Sequence, residues 1–119
     1  MKIAISASGK DMMAPVDERF GRAPGFILFD DTTAKFEYIN NNKNLEAAQG
    51  AGIQSAKTVI DSGSGVLITG NVGPKAYATL SSAGIEIYLT SGGTIEEAIS
   101  AYRAGTLTKV DNANVEGHW

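Results

Sequence analysis

Apolar residues run through this chain in two registers. Unbroken apolar stretches at residues 2–6 (KIAIS), 25–30 (GFILFD) and 65–69 (GVLIT) predict strands covered on both faces, since a strand with one wet face would alternate. Residues 85–89 (IEIYL) do alternate, with Ile85, Ile87 and Leu89 set against Glu86 and Tyr88. Residues 35–40 (KFEYIN) are polar enough for an edge strand. Three other segments repeat at helical spacing. Ile53, Ala56, Val59 and Ile60 share one face of a helix predicted near 52–62, which Gly63 is placed to stop. Pro74, suited to a first helical position, opens a second helix that ends at Gly84, with Ala76, Tyr77 and Leu80 turned inward. Thr94 and Glu97 form a capping box for a third, whose inner face is Ile95, Ala98, Ile99 and Tyr102. Arg103 suits the negative end of that helix, and Gly105 closes it.

The predicted order is therefore β-β-β-α-β-α-β-α. Strands joined through a helix run parallel, and the Asp30–Thr33 turn makes strands 2 and 3 a hairpin. The fold class is α/β, a mixed five-stranded sheet with three helices on its faces. Strand 1 should lie between strands 2 and 4, because these are the most continuously apolar segments. Residues 1–107 form one domain. Residues 108–119 carry few apolar groups and no period, and are expected to be a flexible tail.

Composition narrows the class. A chain of 119 residues suits a single domain, and 43% hydrophobic with 19% charged residues excludes a wholly disordered one. A net charge of −3 selects neither nucleic acid nor an anionic membrane as partner. The chain has no cysteine, which excludes disulfides, a thiol nucleophile and a cysteinyl iron–sulfur cage. The opening MKIAISASGK has too short an apolar run for a secretory signal, and no segment approaches the ~20 apolar residues of a membrane span. A cytoplasmic location is expected.

Residues 7–24 lack any period and contain Gly9, Pro15, Gly21 and Pro24. Loops of this length in a small domain are commonly functional. This one concentrates Asp17, Glu18, Arg19, Phe20, Gly21 and Arg22. Glycines also cluster where strands should end. TGNVGPKA (69–76) places Gly70, Asn71, Gly73 and Lys75 between a strand and a helix, TSGGT (90–94) does the same with Gly92 and Gly93, and QGAGI (49–53) opens the first helix. A helix N-terminus offers free N–H groups and a positive dipole end, which suits an anion. In open α/β sheets ligands sit beyond the carboxyl ends of parallel strands. Any one of these glycines alone can simply make a tight turn. Together they predict that residues 8–22, 70–75 and 90–94 line one cleft.

Catalytic signatures are missing. There is no G-x-G-x-x-G and no G-x-x-x-x-G-K-[ST]. The first and fourth strands carry no acid for two-metal nuclease chemistry. The sole histidine, His118, sits in the expected tail, a poor place for a preorganised base. A non-enzyme is expected.

RFGRAP (19–24), GAGIQSAK (50–57), GNVGPKA (70–76), AGIEIY (83–88) and GTIEEAISAYRAGTL (93–107), in this order and spacing, resemble the dinitrogenase iron–molybdenum cofactor-binding family. The resemblance covers about residues 1–107. It implies a ribonuclease H-like fold, sheet order 3-2-1-4-5 with strand 2 antiparallel. It also implies proteins that bind, carry or help assemble iron–sulfur and molybdenum–iron–sulfur clusters without turnover. The partners would be cluster donor or acceptor proteins, with the cargo held transiently and none expected in the isolated chain, a monomer or weak homo-oligomer. Several members have histidine before the Phe-Gly-Arg motif, where this chain has Arg19. A guanidinium is not a metal ligand. What remains is a positive, donor-rich pocket of Arg19, Arg22, Lys75 and helix N-termini, suited to an anionic cluster, an oxyanion or a phosphate. Met12 and Met13 add soft sulfur to the same loop.

Overall fold

The computed structural model describes residues 1–41 and 51–111. The strands are β1 (Lys2–Ala7), β2 (Gly25–Asp30), β3 (Phe36–Asn40), β4 (Val66–Thr69), β5 (Glu86–Leu89) and β6 (Thr108–Lys109). The helices are α1 (Ala51–Asp61), α2 (Pro74–Ser82) and α3 (Ile95–Ala104), and one 3-10 turn covers Phe20–Arg22. They form one sheet in the order β3-β2-β1-β4-β5-β6. As predicted, β1 is central, antiparallel to β2 (Ile5 opposite Ile27) and parallel to β4 (Ile3 opposite Val66). β4 and β5 are parallel, and β2 and β3 pair antiparallel through their hairpin.

The central strands are apolar throughout because both of their faces are covered. Ile3, Ile5 and Ala7 of β1 join Val66 and Ile68 against Ile95, Ala98 and Ile99 of α3, with Ala14 and Val16 of the long loop. Ala4 and Leu67 point the other way, onto Ala56 and Val59 of α1, Ala76 and Leu80 of α2, and Phe20. The inner face of α1 is Ala51, Ser55, Ala56 and Val59, so Ile53 is only half-buried, away from the predicted stripe.

Among the described residues the sheet has six strands, not five. Thr108–Lys109 pairs antiparallel with β5, Tyr88 opposite Lys109. The Val110 N–H then donates to Ile87 O at 2.9 Å, and the Tyr77 hydroxyl donates to Asp111 O at 2.5 Å. The predicted tail thus begins with an edge strand. Two polar residues show no period, and their pairing comes from the exposed β5 edge rather than from their own pattern. Residues 112–119, with His118, lie outside the described residues. Among the described residues no helix is long and apolar enough to cross a membrane.

Candidate functional site

The long loop is fastened first at the carboxyl ends of β1 and β4. Ser6 and Thr69 are fully buried hydroxyls on adjacent strands, their oxygens 2.8 Å apart, and Ser6 Oγ lies 2.6 Å from Asp17 O. A carbonyl only accepts, so the single Ser6 proton goes to Asp17 and the Thr69 hydroxyl donates to Ser6. The Asp17 N–H returns a bond to Ser6 O at 2.8 Å. The Asp17 carboxylate accepts from the Arg19 N–H at 2.9 Å and lies 3.6 Å from Arg19 Nε. Sequence reasoning missed this cluster. Its signal was a polar residue at the same end of two otherwise apolar neighbouring strands.

Beyond Asp17 the chain runs beside the β4–α2 turn. Arg19 forms a parallel bridge with Asn71, and the Phe20 N–H donates to Asn71 O at 3.3 Å. Asn71 Nδ2 donates to Glu18 O at 3.2 Å. Gly70 makes this approach possible, because a Cβ there would fall 2.7 Å from Glu18 Cα and 2.8 Å from its carbonyl oxygen. Phe20 is 1% exposed and its ring packs on Phe26 with centroids 5.6 Å apart, so it anchors the turn. Gly21 is buried beside it, and Arg22 is half-buried, its N–H donating to Arg19 O at 3.1 Å. The ion pair with Asp17 belongs to Arg19, whose side chain remains 55% exposed, and not to Arg22.

The same loop also reaches the β5–α3 turn. The Val16 N–H donates to Gly93 O at 3.0 Å, and Pro15 bridges Thr94. Residues 8–22, 70–75 and 90–94 therefore do meet along one edge of the sheet.

The helix ends there differ, which the sequence did not reveal. At α3 the Ile95 and Glu96 N–H groups donate to Ala14 O and Met12 O, both at 2.9 Å, and the Glu97 N–H goes to Thr94 Oγ1 at 3.2 Å. The loop backbone and the predicted capping box thus fill this N-terminus. At α2 the N-cap is Gly73, which has no side chain to cap with, followed by Pro74, which has no N–H. Among the described residues neither the Lys75 nor the Ala76 N–H finds an acceptor. Lys75 is exposed at this end. Gly92 and Gly93 are exposed with φ of 71° and 83°, a conformation that favours glycine. The predicted opening of α1 at Gln49 and Gly50 lies outside the described residues.

Among the described residues no group of three or more His, Cys, Asp or Glu is placed to hold a metal ion. The donors gathered at this edge are N–H groups, a guanidinium and an ammonium, which suit a negatively charged ligand held through its outer atoms.

A family model, dinitrogenase iron-molybdenum cofactor, matches residues 1–105. An uncharacterised protein of Methanocaldococcus jannaschii is 29% identical over 113 residues, which are 93% of this chain and 92% of the relative. The apo form of the orange protein from Desulfovibrio gigas is similar at a TM-score of 0.94 and 38% identity, with 96% of each chain covered. A Thermotoga protein described as a candidate NifB is similar at a TM-score of 0.85 and 35% identity over 98% of each chain. With its residues 1–105 matched by the model, the chain belongs to the dinitrogenase iron–molybdenum cofactor family.

Proposed function

We propose that this chain is a non-catalytic binding or carrier protein, and that its cargo is an iron–sulfur or molybdenum–iron–sulfur cluster or its precursor. The observation that carries the reading is the N-terminus of α2, where among the described residues the Lys75 and Ala76 amides find no acceptor, beside the Lys75 and Arg19 side chains. Membership of the cofactor family supports a cofactor-related role. The likeness to an apo form of the orange protein supports a site that is filled and emptied. With no cysteine in the chain, the fitting cargo is a preassembled anion gripped through its outer atoms. On this reading Arg19, Arg22 and Lys75 supply charge. Gly70, Asn71, Gly73, Gly92 and Gly93 shape the walls, and Phe20 and Gly21 hold the loop. Cluster donor and acceptor proteins would be the partners, the protein acting in the cytoplasm as a monomer or weak homo-oligomer. Classification as ribonuclease H-like belongs to the same proposal, supported by the 3-2-1-4-5 order within the sheet.

The same open amides favour a second reading, a binding module for a small oxyanion or phosphate-bearing ligand. Anaerobic incubation with a preassembled molybdenum–iron–sulfur cluster, then gel filtration with metal analysis and visible absorption, tests the first. Iron and molybdenum co-eluting with the protein support it. Calorimetric binding of molybdate or phosphate without retained iron favours the second. No retained metal and no anion binding would overturn both.

A further inference from the structure

The edge where cargo is proposed to bind already holds one negative group. The Gly92 N–H donates to Glu18 Oε1 at 3.1 Å. Glu18 gets there because Gly70 lets its backbone lie flat on the β4–α2 turn, with its carbonyl held by Asn71 Nδ2. From that footing the side chain spans to the β5–α3 turn. Among the described residues no ion pair involves Glu18, although Arg19 is next to it in the chain. Arg19 turns to Asp17 instead. The Glu18 side chain is exposed, so water is available to its carboxylate, and yet it accepts from a glycine amide of the neighbouring turn.

We infer that Glu18 is an internal competitor for the cargo site, a carboxylate that caps Gly92 in the empty protein and that an incoming anion must displace. This rests on the anion-site reading above and adds how the site is regulated. An anion reaching both α2 and the β5–α3 turn meets the Glu18 charge, and loses affinity by its repulsion and by the cost of freeing the Gly92 amide. When the carboxylate swings back it favours release. A carrier needs such reversibility, since cargo gripped without a competitor would not be handed on.

The test uses the full chain, molybdate as probe, and the variants Glu18→Gln and Glu18→Ala. A unit charge ~5 Å from a divalent anion, at the dielectric of water that an exposed carboxylate meets, changes affinity about tenfold. Glu18→Gln, which keeps the shape and an acceptor oxygen, should bind molybdate about tenfold more tightly than wild type. Glu18→Ala, which also frees the amide, should bind at least as tightly as Glu18→Gln. In ¹⁵N-resolved spectra the Gly92 amide should move in both variants without ligand, and in wild type on saturation with molybdate. Should Glu18→Ala fail to fold, Glu18→Gln decides the matter. Wild type binding as tightly as Glu18→Gln, or more so, overturns the inference and leaves the site reading standing. Molybdate binding to none of the three overturns the inference along with the oxyanion site on which it rests.

Discussion

Asp30 shows how one side chain sets a pH limit. Its Oδ1 accepts from the Thr32 and Thr33 N–H groups at 2.8 and 3.3 Å, fixing the β2–β3 turn. These bonds, the Thr32 one foremost, hold its carboxyl below its ordinary value of 3.8. A carboxyl lowered in the folded state stabilises the fold above its unfolded value. That contribution is lost as the pH falls below about 4 and the group protonates. Urea unfolding followed from pH 6 down to pH 3 should therefore show a shallower acid decline for Asp30→Asn than for wild type. Equal slopes would remove Asp30 from the account. The buried hydroxyl pair makes a different prediction. Ser6→Ala strands both the Asp17 carbonyl and the Thr69 proton, and should cost about 1–3 kcal/mol, whereas Thr69→Val leaves the Ser6–Asp17 bond intact and should cost about 1 kcal/mol. Because the residues share one network, the double variant should cost less than the sum, as a double-mutant cycle in urea would show.

Among the elements, the long loop is the one that sequence periodicity described least. Its position was legible, because Gly21, Pro24 and two arginines between apolar runs leave no room for a strand or helix. Its role at the α3 N-terminus was not legible. The carbonyls of Met12 and Ala14 do the capping, and a backbone carbonyl has no signature in the residue that carries it. The same blindness hid β6, whose Thr108 and Lys109 pair with β5 through main-chain groups, with one exposed Lys109–Glu86 ion pair at 3.5 Å beside them. Where side chains carried the structure, as in the Thr94–Glu97 capping box or the apolar faces of β1, β2 and β4, sequence and structure agree. Phe20 is the loop's one large apolar anchor on the α1–α2 side. Phe20→Ala should cost about 3–5 kcal/mol if the loop folds as one unit with the sheet. It should also speed amide exchange across residues 16–22 more than across β2. Protection unchanged in 16–22 would mean that the Ser6 and Asn71 bonds suffice to hold the loop.

For the molecule as a whole the net balance is −3, and at the edge where β1, β4 and β5 end the cations Arg19 and Lys75 stand among the carboxylates of Asp17 and Glu18. Anion binding at that edge should weaken as salt rises from 0.05 to 0.5 M, because the Debye length shrinks from above ~10 Å to a few ångströms. Lys75→Ala should lower both the affinity and the steepness of that dependence, measured by calorimetry with molybdate. A salt dependence identical in the variant would place the attraction elsewhere.

The place of β1 also bears on how the chain comes off the ribosome. β1 precedes the other described strands, and its antiparallel partner β2 follows within thirty residues, while its parallel partner β4 begins only at Val66. A nascent chain can form the β3-β2-β1 meander early, since its contacts are local. Until β4 emerges, one edge of β1 presents free backbone groups flanked by Ile3 and Ile5, side chains that the finished protein buries completely. An apolar edge of this kind invites pairing with another copy of itself. Stalled chains ending before residue 66 should therefore associate through β1, and completion of β4 should abolish that association. Inserting a charge at Ile3 would suppress it at the expense of the mature core.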